Sequence, residues 1–250
     1  MAEPLITASK ITKDFQGVTA LADVDVRLDR GSVHGIVGPN GAGKTTLLNV
    51  LSGFVRPTSG RVEIEGRDVT RLTPQRRVPL GMMRTFQNIR LFGGLTVLEN
   101  VLVGQHTHSR TGFTSLVPVR GQRERELREN AEHALEVFEL TAYRKRRAAS
   151  LPYGVQKQVE MARAMAARPK AMLLDEPAAG MTAEGRQVLV GRINQMRDEG
   201  LSIFVVEHDM DIIAKVCDVV TVLNFGTKLL DGTPDVVLSS DLVRAAYLGT

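Results

Sequence analysis

From residue 33 the chain runs apolar and β-branched up to a glycine, VHGIVG, and GPNGAGKTTLLNVLSG follows at once. That pattern predicts a strand, a tight loop and a helix in direct succession. Three more apolar runs, AMLLDE (171–176), LSIFVVEH (201–208) and DVVTVL (218–223), predict further strands, separated by helical patterns such as residues 186–198. Unbroken apolar strands alternating with helices mean a parallel sheet covered on both faces. Earlier in the chain LITASKI, VDVRLD and RVEIEG alternate apolar with polar positions between turn residues. They predict a smaller antiparallel sheet with one wetter face. TKLLDG (227–232) offers a closing hairpin strand.

Helical periodicity dominates the middle of the chain. TVLENVLVG opens with the capping box Thr96-x-x-Glu99, and Leu127, Ala131, Ala134 and Phe138 recur on one helix face. Val155, Val159, Ala162 and Ala166 form a second stripe over 154–167, while HTHSRTGFTSLVPVRG between the two reads as a loop. One α/β domain, 1–250, is expected. It comprises a core with its antiparallel β-subdomain (1–86 and 168–250) and an inserted helical subdomain (87–167).

Composition changes this picture little. The net charge of +4 is mild, permitting anionic partners and selecting none. No apolar run approaches the roughly 20 residues of a membrane span, and MAEPLITASK lacks the basic-then-apolar form of a secretion signal. We therefore expect neither anchor nor leader. The single Cys217 permits no internal disulfide. The basic run at 143–147 reads as a solvated face, and His106 and His108 lack a nearby carboxylate or cysteine to complete a metal site.

The chemistry lies in the loops. Gly38, Gly43, Lys44 and Thr45 fit G-x-x-x-x-G-K-[ST], a loop whose backbone N–H groups and helix N-terminus cradle phosphates. The paired carboxylates ending an apolar strand divide the work: Asp175 for a phosphate-bound Mg²⁺, acting through its water shell, and Glu176 as base for a water. His208 ends the next strand, where an imidazole can reach a γ-phosphate.

In this order, these motifs make the chain resemble the ATP-binding subunits of ABC transporters over essentially its whole length. The resemblance implies the P-loop ATPase fold of that family, with ATP and Mg²⁺ as cofactors. It implies that Phe15 stacks on adenine and that Gly38, Pro39, Asn40, Gly41, Ala42, Gly43, Lys44, Thr45 and Thr46 form the phosphate loop. Thr45, Gln87 and Asp175 then serve the metal, and Lys44, Gln87, Glu176 and His208 serve hydrolysis. RTFQNIRLFGGLTVLENVLVG, LPYGVQKQVEMARAMAARP and the closing AAYLG resemble the branch that imports branched-chain amino acids and similar polar compounds. Permease subunits, a second ATPase subunit and, indirectly, an extracytoplasmic solute-binding protein follow as partners. The chain would then work at the cytoplasmic face of the membrane, with no nucleic acid expected.

LPYGV stands at the family's signature loop, which touches the γ-phosphate bound by the facing subunit. Leu151 and Gly154 keep the usual Leu-Ser-Gly-Gly-Gln, whereas Pro152, Tyr153 and Val155 depart from it. Proline brings neither hydroxyl nor N–H. The loop is expected to hold phosphate more weakly, through backbone and helix dipole, so that a heterodimer makes better physical sense than a homodimer. Met181-Thr182 likewise replaces the usual Leu-Asp. The alternatives are a nucleic-acid-handling ATPase, which would carry two cassettes or a coiled coil, and a regulatory subunit without catalysis, against which Glu176 and His208 argue.

Overall fold

The structure, a computed structural model, describes residues 4–85, 89–105 and 122–248. Gln87, His106 and His108 lie outside the described residues.

The chain opens on a long hairpin of β1 (Pro4–Phe15) and β2 (Val18–Asp29), closed where Phe15 faces Val18. After β3 (Val33–Val37) and α1 (Lys44–Ser52), β4 (Ser59–Ile64) returns to pair with β1, and β5 (Arg67–Asp68) pairs with β4. The result is an antiparallel sheet in the order β2-β1-β4-β5. Its apolar face, with Ile11, Leu21, Val24 and Val62, packs with Leu47, Leu48 and Leu51 of α1. This is the alternation that the sequence shows there.

After α2 (Pro74–Arg77) the chain adds β6 (Met82–Arg84), α3 (Val97–Val103), α4 (Gln122–Val137) and α5 (Tyr153–Met165). β7 (Ala171–Asp175), α6 (Ala183–Asp198), β8 (Ser202–Val206), α7 (Met210–Val216), β9 (Val219–Asn224), β10 (Thr227–Gly232), α8 (Pro234–Ser239) and α9 (Asp241–Leu248) follow. The second sheet has the order β10-β9-β3-β8-β7-β6, parallel except for the terminal β9–β10 hairpin. β3, β7 and β8 are buried along their whole length because both faces are covered. Ile36, Leu173, Phe204 and Val206 face α1 and the antiparallel sheet, while Val37, Leu174, Val205 and Val222 join the larger core. Register brings Val206 level with both Ile36 and Asp175, so three strands end together. The loops that leave them therefore meet at the carboxyl edge of the sheet, where open α/β sheets bind ligands.

The helical middle shares the larger core. Thr96 and Glu99 complete a reciprocal cap on α3. Ala131 and Ala134 of α4, with Phe138 just after it, and Val159 and Ala162 of α5, with Ala166 just after it, are buried in one cluster. Edge strand β6 is absent from the sequence reading. It pairs Met82 with Ala171 and Arg84 with Leu173.

Arg77 fastens the rear end of α1. Buried to 1% exposure, its guanidinium donates to Val50 O at 2.9 Å, Leu51 O at 2.5 Å and Leu72 O at 3.1 Å. A cation on the last carbonyls complements the helix dipole. Burial pulls the guanidinium down to about 10, against the upward pull of Asp68. Arg77→Ala strips these acceptors and opens a cavity. It should lower stability by about 2–4 kcal/mol in chemical denaturation; a change under about 0.5 kcal/mol would show that water replaces the guanidinium freely.

Candidate functional site

The loop from β3 to α1 is squeezed between its neighbours. Gly38 has φ +148° and a Cβ there would stand 2.2 Å from Leu223 O; at Gly43, φ +102°, it would stand 2.7 Å from Ala20 O. Only glycine fits either place. The first helical residue is Lys44, whose Nζ donates to Gly38 O at 2.7 Å and Pro39 O at 2.8 Å. Its side chain thus curls over the loop it follows. Burial lowers the Lys44 pKa, while the charge of Glu176 pulls it the other way. No side chain caps α1 and no acid stands in its first turn, so its N-terminus and Lys44 make a strongly anion-seeking surface.

Glu176 and His208 close this surface from the adjoining strand ends. They line one cleft of about 200 Å³ with Ala20 and residues 40–46. His208 Nε2 lies 2.7 Å from Glu176 Oε1, a bond that with an ionised carboxylate requires the proton on Nε2. Glu176 adopts φ +47°, uncommon for a residue with a Cβ, and its N–H is held by Val206 O at 2.9 Å. This turn lifts the carboxylate out of line with β7, leaving Glu176 partly exposed where Asp175 is buried. Adjacent acids thereby acquire different surroundings.

Two residues with no clear sequence signal hold this arrangement. Arg84 Nη2 donates to Asp175 Oδ2 at 2.8 Å. Glu207, itself buried, accepts from Ala178 N–H at 2.7 Å and His208 N–H at 3.2 Å, tying the loop after the carboxylates to the histidine. Burial raises the Glu207 pKa despite those two bonds.

The remaining sequence-named residues lie elsewhere. Phe15, half exposed at the end of β1, has the Lys13 ammonium 4.8 Å from its ring centre. Leu151 to Val155 do not line the cleft. Pro152 caps α5 without a side-chain hydrogen bond, and its carbonyl accepts from Val155 and Gln156 N–H at 3.0 Å each. Tyr153 lies against Gly180 of the loop that follows the carboxylates. Leu151 to Val155 thus stand apart from the cleft that Lys44, Glu176 and His208 line.

Residues 21–179 match the family described as ABC transporter. The chain is 39% identical over 253 residues to the high-affinity branched-chain amino acid transport ATP-binding protein BraF of Pseudomonas aeruginosa, covering 100% of this chain and 99% of that protein. It is 36% identical over 253 residues to the corresponding protein LivG of Escherichia coli K12, with the same coverage. Among solved structures, the ADP conformation of MJ1267, an ATP-binding cassette of an ABC transporter, aligns over 100% of both chains with a TM-score of 0.88 and 31% identity.

Proposed function

The chain belongs to the ABC transporter family, and from that premise we propose that it is the ATP-hydrolysing subunit of an importer for branched-chain or related amino acids. The observation that carries the reading is the Glu176–His208 pair at 2.7 Å, set in the same cleft as Lys44. No helix among the described residues is long and apolar enough to cross a membrane. Transport therefore calls for permease subunits, with this chain at their cytoplasmic face and a solute-binding protein acting indirectly.

The donor set fits a magnesium–ATP complex. Lys44 and the loop N–H groups suit phosphate oxygens, and Phe15 offers an aromatic face to the base. Thr45 and Asp175 supply oxygen donors for Mg²⁺, with Gln87 as a third by resemblance. Among the described residues no group of three acidic, histidine or cysteine side chains forms a self-sufficient metal cage. Thr45 and Asp175 would hold the Mg²⁺ of a nucleotide complex with few protein oxygens, as suits a cation that keeps much of its water shell. When bound, the cation offsets charge on the transferring phosphoryl group. Glu176 takes the proton of the attacking water, and His208, bonded to Glu176 Oε1, keeps that carboxylate aimed in the cleft that Lys44 also lines. Glu207 keeps His208 and the following loop in step through its two backbone bonds.

Leu151 to Val155 complete the site of a second ATPase subunit. With Pro152 at the cap, this segment lacks the hydroxyl and one N–H of the family's usual loop. A heterodimer is therefore favoured, in which the site using Lys44 and Glu176 of this chain hydrolyses faster than the one its signature segment completes. The test is to purify the assembled transporter, count its ATPase chains, and measure ATP-driven uptake of labelled leucine in proteoliposomes. Two different chains and ATP-dependent uptake are expected. Two copies of this chain alone with full coupled activity would defeat the heterodimer, and failure to move any branched-chain or related amino acid would defeat the substrate class.

A further inference from the structure

Arg84, the last residue of β6, clamps two elements of the site from behind. Its Nη2 donates to Asp175 Oδ2 at 2.8 Å, and its Nη1 donates to Asn49 Oδ1 at 2.7 Å and Ser52 Oγ at 2.8 Å. The side chains of the ion pair are only 7% and 9% exposed, so water screens it little. Asn49 and Ser52 lie on α1, the helix that begins with Lys44. Ser52 is itself anchored, donating to Leu48 O at 2.6 Å. One planar guanidinium therefore bridges the end of β7 to the phosphate-loop helix, using a fork geometry that an ammonium does not reproduce.

We propose that Arg84 is a positioning residue for the magnesium-directed carboxylate, fixing the rotamer of Asp175 relative to α1 so that Oδ1 serves the metal's water shell. The proposal rests on the reading of Asp175 as the Mg²⁺ carboxylate. A carboxylate acting through waters has loose geometry of its own, and its precision comes from the group that holds it. Arg84 engages Oδ2 and leaves Oδ1 out of the pair. Without the guanidinium, the buried carboxylate has lost its compensating charge and turns towards other donors or solvent.

The test uses the full chain and a fluorescent ATP analogue, titrated once in chelator and once with rising free Mg²⁺. Arg84→Met, which roughly preserves volume, should raise the half-saturating Mg²⁺ by about tenfold, the low end of what loss of a metal site's outer partner costs. Affinity in chelator should stay within about twofold, since Lys44 and the loop are untouched. Arg84→Lys should recover only part of the loss, because a single ammonium cannot span Asp175, Asn49 and Ser52 together. Asp175→Asn serves as the control. If it leaves the Mg²⁺ half-point unchanged, the reading of Asp175 fails; if it shifts the half-point and Arg84→Met does not, the positioning role fails. A half-point that falls in Arg84→Met would also overturn the proposal, since Arg84 would then be a competitor of the cation. Should Arg84→Met not fold, Asn49→Ala combined with Ser52→Ala frees the guanidinium while keeping the ion pair. It should shift the half-point about threefold, and no shift there would overturn the proposal equally.

Discussion

Glu176→Gln should cut phosphate release by 10²- to 10⁴-fold, the range by which a positioned general base accelerates a reaction. The substitution isolates that function because so little else changes. An amide oxygen still accepts from His208 Nε2, where the carboxylate does so now at 2.7 Å. The residue keeps its size at a backbone of φ +47°, and its N–H stays with Val206 O. What disappears is the capacity to take a proton. Nucleotide affinity should hold within a few-fold, and ATP-bound dimers should accumulate on gel filtration because the step that separates them no longer occurs. Turnover within threefold of the parent, in a phosphate-release assay on the assembled complex, would remove Glu176 from the role of base. His208→Ala provides the contrast, since it leaves the base in place but frees its aim, so a smaller loss is expected.

The parts of this site that are legible in the sequence are those whose chemistry is local. Gly38 to Thr45 announce themselves because the tight passages past Leu223 O and Ala20 O admit only glycine, and the lysine must follow within one loop. Asp175, Glu176 and His208 stand at the ends of apolar runs, and parallel strands buried on both faces read as such runs without any partner being known. β6 shows the opposite case. Three residues are too few to display a period, and an arginine at the end of a short segment reads as solvent-facing. Its burial depends on Asp175, which lies far along the chain, and on Asn49 and Ser52, whose side chains have no visible reason to face it until the helix and sheet are packed. Glu207 sits inside the same apolar run that flags His208, yet a carboxylate there gives no sign that its work is to hold two backbone N–H groups. Phe15 and the signature segment stand out only through resemblance: a half-exposed aromatic at a strand end and a proline at a helix start are common features of ordinary folds.

Lys44→Ala should raise the dissociation constant for ATP by about 100-fold and abolish coupled transport. Two charge-assisted hydrogen bonds to phosphate, at roughly 1.5–3 kcal/mol each, set the gross gain. Part of it is offset, because Nζ must first give up Gly38 O and Pro39 O, which it holds at 2.7 and 2.8 Å. About 3 kcal/mol remains, and every 1.4 kcal/mol is tenfold in affinity. The alanine variant also leaves those two carbonyls without their donor. Lys44 itself lines the solvent-accessible cleft, however, so removing its side chain admits water to them, and the fold should survive with its thermal transition moved by no more than a few degrees. That separates this variant from Arg77→Ala, where the abandoned carbonyls lie deep behind α1 and stability is the quantity lost. Titration with a fluorescent nucleotide, alongside a thermal melt of the same preparation, decides the matter. Affinity within fivefold of the parent would mean that the loop N–H groups and the helix terminus bind phosphate unaided, and that the lysine acts only once the γ-phosphate begins to leave.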